Sequence, residues 1–291
     1  MLSICHVNAR SLKADSRLFE LGLLAASNNV DVLCAKHLNS AVRISGFDLP
    51  LRCDRCHGRG GGVAVYVRQG LQCNQVDFPS SPDFQCVGVS ITLSRRSSLT
   101  IVTAYHPPDS DLDHFVSYMD AVLSRLPRAA ASNICLVGDF NAKHSSWLPS
   151  QTTDAAGARM FAFAVSNRLM QVVSDATYTT SSGKDVQLDL MFVNQPLLVQ
   201  SCSTLAPVAD HCPTLMRLSA VNRLHRAGRK SYCTWDYQKA DFDSLREALQ
   251  RVDWSVLHSF SDPTEAVDVW SRLFHSVLIQ YIPQKKVKTD P

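Results

Sequence analysis

Asn133-Ile134-Cys135-Leu136-Val137-Gly138-Asp139-Phe140-Asn141 is the stretch on which the fold turns. Its apolar run is too short for a helix and reads as a strand covered on both faces. The strand runs straight into Gly-Asp-Phe-Asn. If the extended conformation continues, a period of two sets Asp139 and Asn141 on one face and Phe140 on the other. A carboxylate and an amide at the end of a buried strand make a polar pocket floor. Asp and Asn also favour turns, so a plain strand-end turn stands beside that reading as its equal.

A strand buried on both faces needs neighbours, and the flanking sequence supplies them. Strands are expected at 2–7, 30–34, 63–67, 99–105, 188–193 and 215–218. Between them lie amphipathic stretches. Residues 15–28 carry Leu18, Leu21 and Ala25 on one face, 111–126 carry Phe115, Met119, Val122 and Leu126, and a third helix spans 155–169. Sheets sandwiched between helices, an α/β or α+β architecture, follow from that alternation.

Composition bounds the answer. The 291 residues are 45% hydrophobic and 19% charged, enough for one large domain with a short appendage and incompatible with wholesale disorder. No apolar run approaches the ~18–20 residues of a membrane span. The opening MLSICHVNARSL lacks a basic region followed by an apolar one, so an intracellular protein, nuclear or cytoplasmic, is expected. A net charge of +3 restricts any nucleic-acid contact to a local patch. Ten cysteines, several inside apolar runs, read as reduced thiols. Cys53-x-x-Cys56-His57 has the spacing of half a zinc site, but no second pair follows and a polar loop is the better reading.

The character changes after residue 220. Residues 1–220 form the expected main domain, and 221–231, with Arg223, Arg226, Arg229 and Lys230, a basic linker. Residues 232–291 read as helical. Phe242, Leu245, Leu249 and Val252 make one stripe, and Ala266, Val269, Trp270, Leu273, Val277 and Tyr281 make another. Asp262-Pro263-Thr264-Glu265 starts the second helix and Pro283 stops it. The closing Gln284-Lys285-Lys286-Val287-Lys288 reads as a join to a longer chain.

Four further features carry chemistry. Asp210-His211 offers a carboxylate beside an imidazole that titrates near neutrality, though a lone dipeptide is more often structural. Asp189 sits inside the apolar run Leu188-Asp189-Leu190-Met191-Phe192-Val193. Buried there it needs a partner, and a histidine serves; otherwise it faces solvent on an edge strand. Asn8 leaves the first strand and Tyr105 leaves another just before His106-Pro107-Pro108; capping and packing are their plainer roles.

Taken in order, these features resemble the endonuclease/exonuclease/phosphatase superfamily, with its deoxyribonuclease I-like fold. More narrowly they resemble the endonuclease domain of LINE-type (non-LTR) retrotransposons. The wording that carries the likeness is Asn8-Ala9-Arg10-Ser11-Leu12, Gly-Arg-Gly-Gly-Gly-Val-Ala-Val-Tyr-Val at 58–67, Tyr105-His106-Pro107-Pro108, and Gly138-Asp139-Phe140-Asn141-Ala142-Lys143-His144 with Trp147. Leu188-Asp189-Leu190-Met191-Phe192 and Ala209-Asp210-His211-Cys212-Pro213 complete it, over residues 2–218.

The resemblance implies a four-layer sandwich of two packed sheets flanked by helices, with a small helical extension. It implies DNA phosphodiester hydrolysis with Mg²⁺, or Mn²⁺ in its place. Asp139 would orient or deprotonate the attacking water, and Asn141 and Tyr105 would hold phosphate oxygens. His211, oriented by Asp189, would stabilise the transition state, and Asn8 and Asp210 would lie around the metal. Arg10, Lys143, His144 and Thr180 (or Thr179) are the expected DNA contacts; Trp147 is either a rim residue or buried. The partners implied are DNA, no membrane, and a reverse transcriptase module in cis. One departure is serious. Where the family carries a metal-binding Glu after the second strand, this chain reads Cys34-Ala35-Lys36-His37-Leu38. Ala35 and Lys36 offer Mg²⁺ no oxygen, and a lysine there competes with it. Ala209 replaces a common Ser. A catalytically silent DNA-binding module or degenerate copy is therefore the alternative, with an abasic-site nuclease or phosphatase on the same fold a third.

Overall fold

The structure, a computed structural model, describes every residue except 10–14, 39–42, 56–61, 95–96, 127–131, 208, 220–230 and 289–291. In chain order the first elements are β1 (Leu2–Asn8), α1 (Asp15–Ser27), β2 (Val32–Leu38), β3 (Leu51–Cys53), β4 (Gly62–Val67), β5 (Cys73–Val76), β6 (Gln85–Ser94) and β7 (Ser97–Tyr105). There follow α2 (Leu112–Ser124), β8 (Ser132–Asp139), α3 (Ala155–Ser166), β9 (Met170–Gln171), β10 (Tyr178–Thr179), β11 (Asp185–Val186), β12 (Asp189–Val193), β13 (Val199–Thr204) and β14 (Thr214–Leu218).

These strands build two mixed six-stranded sheets, ordered β13-β14-β1-β2-β4-β3 and β5-β6-β7-β8-β12-β9, with β10 and β11 as a separate hairpin. The run at 134–137 lies inside the second sheet, and its alternation decides what each side chain touches. Cys135 and Val137 enter an apolar layer with Ile4, Cys34 and Val65 of the first sheet and Ile101 and Met191 of the second. Leu136 and Phe140 point the other way, among Phe115 and Met119 of α2 and Met160 and Phe163 of α3. Asp111 caps α2 by accepting from the His114 N–H at 2.8 Å, and Asp154 caps α3 by accepting from the Gly157 N–H at 2.7 Å. Two mixed sheets with flanking helices are thus the architecture.

The expected strands and helices recur with shifted ends. Those missed are β3, β5, β6, the short β9–β11 and β13. β6 carries Val87, Val89, Ile91 and Leu93 at alternate positions, all buried, and is legible by period two once sought.

The chain divides into two compact units, residues 1–13 with 20–226 and residues 14–19 with 227–291. The second contains β15 (Ser231–Trp235), α4 (Phe242–Arg251), α5 (Pro263–Tyr281) and β16 (Gln284–Lys288). The purely helical reading of 232–291 needs correcting. β15 and β16 pair antiparallel, from Ser231 with Lys288 to Trp235 with Gln284, so the lysine-rich stretch is a strand. Its partner lies far off in sequence, which local periodicity does not register. Phe242 and Trp270, placed on apolar stripes, are each 43% exposed, and Trp270 stacks on Phe274 with ring centroids 5.1 Å apart. The basic run at 221–230 lies outside the described residues, as do Cys56 and His57. Cys5, Cys34, Cys53, Cys73, Cys86, Cys135, Cys202 and Cys212 are free thiols. Among the described residues no helix is long and apolar enough to cross a membrane.

Candidate active site

Gly138 explains why the strands converge so closely. A Cβ there would lie 1.9 Å from the Ala104 carbonyl oxygen, so only glycine lets β7 and β8 pair at this level. One residue on, the register sets Asp139 between Tyr105 of β7 and Asp189 of β12. In the first sheet, Asn8 of β1 stands beside Lys36 of β2. The two rows come together at the strand ends. Asp139 Oδ2 accepts from Lys36 Nζ at 2.6 Å and from Asn8 Nδ2 at 3.0 Å. All these side chains are buried.

Asp189 holds two imidazoles. Its Oδ2 meets His211 Nδ1 at 2.6 Å and its Oδ1 meets His6 Nε2 at 2.9 Å. Burial alone would raise the Asp189 carboxyl; the bonds to His211 and His6 override it and hold the group well below the usual carboxylate range. Burial works against charge on His211 as well, but Asp189 first, then Asp139 and Asp210, hold its pKa above the ordinary 6.5. Asp139 is raised above its ordinary value because desolvation outweighs the nearby Lys36 ammonium. The cluster therefore contains one carboxylate kept charged, one pushed toward neutrality, and an imidazole that keeps its proton to higher pH. Thr177 fixes its edge: its buried hydroxyl accepts from the Leu188 and Asp189 N–H groups, each at 3.0 Å. Asp210 is half-buried beside His211.

Asn141 reaches the site by a turn. β8 ends at Asp139, and Asn141 has φ +47°, a left-handed conformation that asparagine tolerates. Its N–H donates to Asp139 Oδ1 at 3.2 Å and its Nδ2 to the His106 carbonyl at 2.8 Å. Tyr105 lies under Lys36, whose Nζ is 3.5 Å from the ring centroid.

The expected rim residues lie apart from this cluster of bonds. Lys143 faces Asp154 at 3.9 Å, and His144 stacks flat on Phe161 at 4.3 Å. Trp147 is buried against Phe192. Thr180 caps the β10–β11 turn, its hydroxyl donating to the Lys184 carbonyl at 3.0 Å, and Thr179 donates to Asp185 at 2.7 Å. Arg10 lies outside the described residues. Asp54 is exposed and ion-paired with Arg52. Sequence reasoning passed over His6 and Thr177. His6 had a signal, since period two puts it on the face of β1 that carries Asn8; Thr177 sits in a loop and had none.

Asp139, Asp189 and His211 each offer a ligand atom, all within 4.8 Å of one another, and Asn8 Oδ1 is buried with no partner. By distance such a cluster can hold a metal ion. Mg²⁺ asks for about six oxygens in octahedral array. Here both Asp189 oxygens face imidazoles, Asp139 Oδ2 already carries an ammonium, and β2 supplies a lysine instead of a carboxylate. The residues present do not fit Mg²⁺.

A family model described as endonuclease-reverse transcriptase matches residues 99–215. Solved structures add likeness of fold. The endonuclease domain of TRAS1, a telomere-specific non-LTR retrotransposon, aligns at TM-score 0.61 and 17% identity, over 75% of this chain and 98% of that one. An AP endonuclease from Archaeoglobus fulgidus gives 0.55 at 16% identity, over 75% and 100%. A mannosyl-6-phosphatase from Bacteroides thetaiotaomicron gives 0.56 at 13%, over 75% and 100%. No curated protein matches the chain.

Proposed function

Because the chain has the endonuclease/exonuclease/phosphatase fold, we propose that it is a DNA endonuclease, nicking target DNA by phosphodiester hydrolysis for retrotransposition. The supporting observation is the convergence of Asp139, Asn8 and the Asp189–His211 pair at the ends of two sheets. In this reading a water oxygen bonds to phosphorus as the bond to the leaving sugar oxygen breaks, and that oxygen departs as a hydroxyl with a proton taken from solvent. Asp139 takes the water's proton, and Asn8 Oδ1 accepts its other hydrogen. His211, charged and oriented by Asp189, stabilises the negative charge growing on the phosphoryl oxygens, with Asn141 and Tyr105 beside it. Preorganised donors of this kind contribute about 10²–10³ in rate each. Arg10, Lys143, His144 and Thr180 contact the DNA backbone.

The family likeness implies Mg²⁺ or Mn²⁺, toward which Asn8, Asp139 and Asp210 would be the oxygen donors. The present set does not fit such an ion, and the roles of Asp139, Asn8 and His211 stand without it. A reverse transcriptase module in cis and a nuclear or cytoplasmic setting belong to the same proposal. One observation favours a second reading, a DNA-binding module that does not cut: the Lys36 ammonium sits on the carboxylate that the water needs.

Nicking of supercoiled plasmid, with and without Mg²⁺, separates the two. Nicking by the wild-type chain that Asp139→Ala abolishes supports the nuclease. Plasmid retention on a gel with no nicking in either medium supports the silent module.

A further inference from the structure

We propose that the Lys36 ammonium is the resident cation of this site, so that phosphate is recognised there without a divalent metal ion. The inference rests on the phosphodiester reading above and specifies how the anion is neutralised.

The first support is position. Lys36 stands in register with Asn8, and its Nζ bonds the same Asp139 oxygen as the Asn8 amide does. An ion on Asp139 Oδ2 would have to compete with the ammonium and the Asn8 amide for that oxygen. The second is containment. The Lys36 and Asp139 side chains are 5% and 2% exposed, and the Tyr105 ring face closes the ammonium from one side. A lysine that deep is anchored, since a charge is retained out of water only when it is paired and hydrogen-bonded. The third is charge. A phosphodiester adds one negative charge to a cluster that already holds the Asp189 carboxylate and, ion-paired to Lys36, the carboxyl of Asp139. Lys36 and His211 are the positive groups that answer them, and an ammonium has three donors, of which Asp139 takes one. A lysine binds phosphate as a point charge, without the geometric demands of a metal.

The test uses the full chain and Mn²⁺ as the probe, read by electron paramagnetic resonance. Wild type is expected to take up no Mn²⁺ that Asp139→Asn removes, whereas Lys36→Glu gains one ion per chain. Wild type binding one Mn²⁺ that Asp139→Asn abolishes would overturn the proposal. So would a Lys36→Glu chain that melts cooperatively yet gains none.

Lys36→Gln supplies a second readout. Affinity for a short duplex should be equal in EDTA and in Mg²⁺ for wild type, and about tenfold weaker in EDTA for Lys36→Gln. The dependence of affinity on salt should fall by about one phosphate contact. Wild-type affinity that needs Mg²⁺, or a Lys36→Gln chain that binds as wild type, counts against the inference. Failure of the nuclease reading looks different: no chain nicks plasmid, while the Mn²⁺ result stands.

Discussion

Asp189 is the residue through which pH enters. Its pKa is lowered in the folded chain, so it contributes stability above its ordinary 3.8, lost as pH falls through the folded value. His211 is raised, so its contribution is complete below 6.5 and lost as pH climbs through its folded value. The pair is therefore most stabilising between those limits. The difference in melting temperature between wild type and Asp189→Asn should be largest between pH 4 and 6.5 and shrink above. The same substitution should lower the His211 pKa, followed by its ring resonances in NMR. A difference that grows toward pH 9 would contradict the assignment. Asn141 makes a second case. With φ +47°, Asn141→Ala should cost about 1–2 kcal/mol in urea unfolding and Asn141→Gly less. The residue types of the site were legible because Asp, Asn and His at strand exits stand out from apolar surroundings. Their geometry was not. Period two was a fair guess for Asn141, but a turn that begins after Asp139 does the placing.

At the scale of elements, β8 carries the most information, since its neighbours, its cover and its terminal carboxylate all follow from a few residues. Gly138→Ala should destabilise the chain by about 1–3 kcal/mol, seen as a lower urea midpoint, because the methyl would meet the Ala104 carbonyl at 1.9 Å. An unchanged midpoint would mean that β7 and β8 have room to separate. Pairing order was the harder part of the sequence. Nothing local says that β1 lies between β2 and β14, or that Lys36 arrives beside Asn8; those neighbours are set by sheet closure across distant segments. The ribbon of β15 and β16 was hidden for the same reason.

The whole molecule combines a core whose two apolar layers share β8 with a site at one end of both sheets. Unit one owns its core. A chain ending at Ser219 should therefore unfold cooperatively and keep the duplex affinity of the full chain, measured side by side by melting and by gel shift. A non-cooperative melt would show that residues 227–291 complete the first unit. The layer between the sheets also contains two thiols, Cys34 from one sheet and Cys135 from the other. Burial pushes Cys34 up to about 12 and Cys135 well above its ordinary value, so neither is a nucleophile while the sheets stay together. An alkylating reagent then becomes a clock: the rate at which these two sulfurs are captured counts how often the halves of the sandwich part.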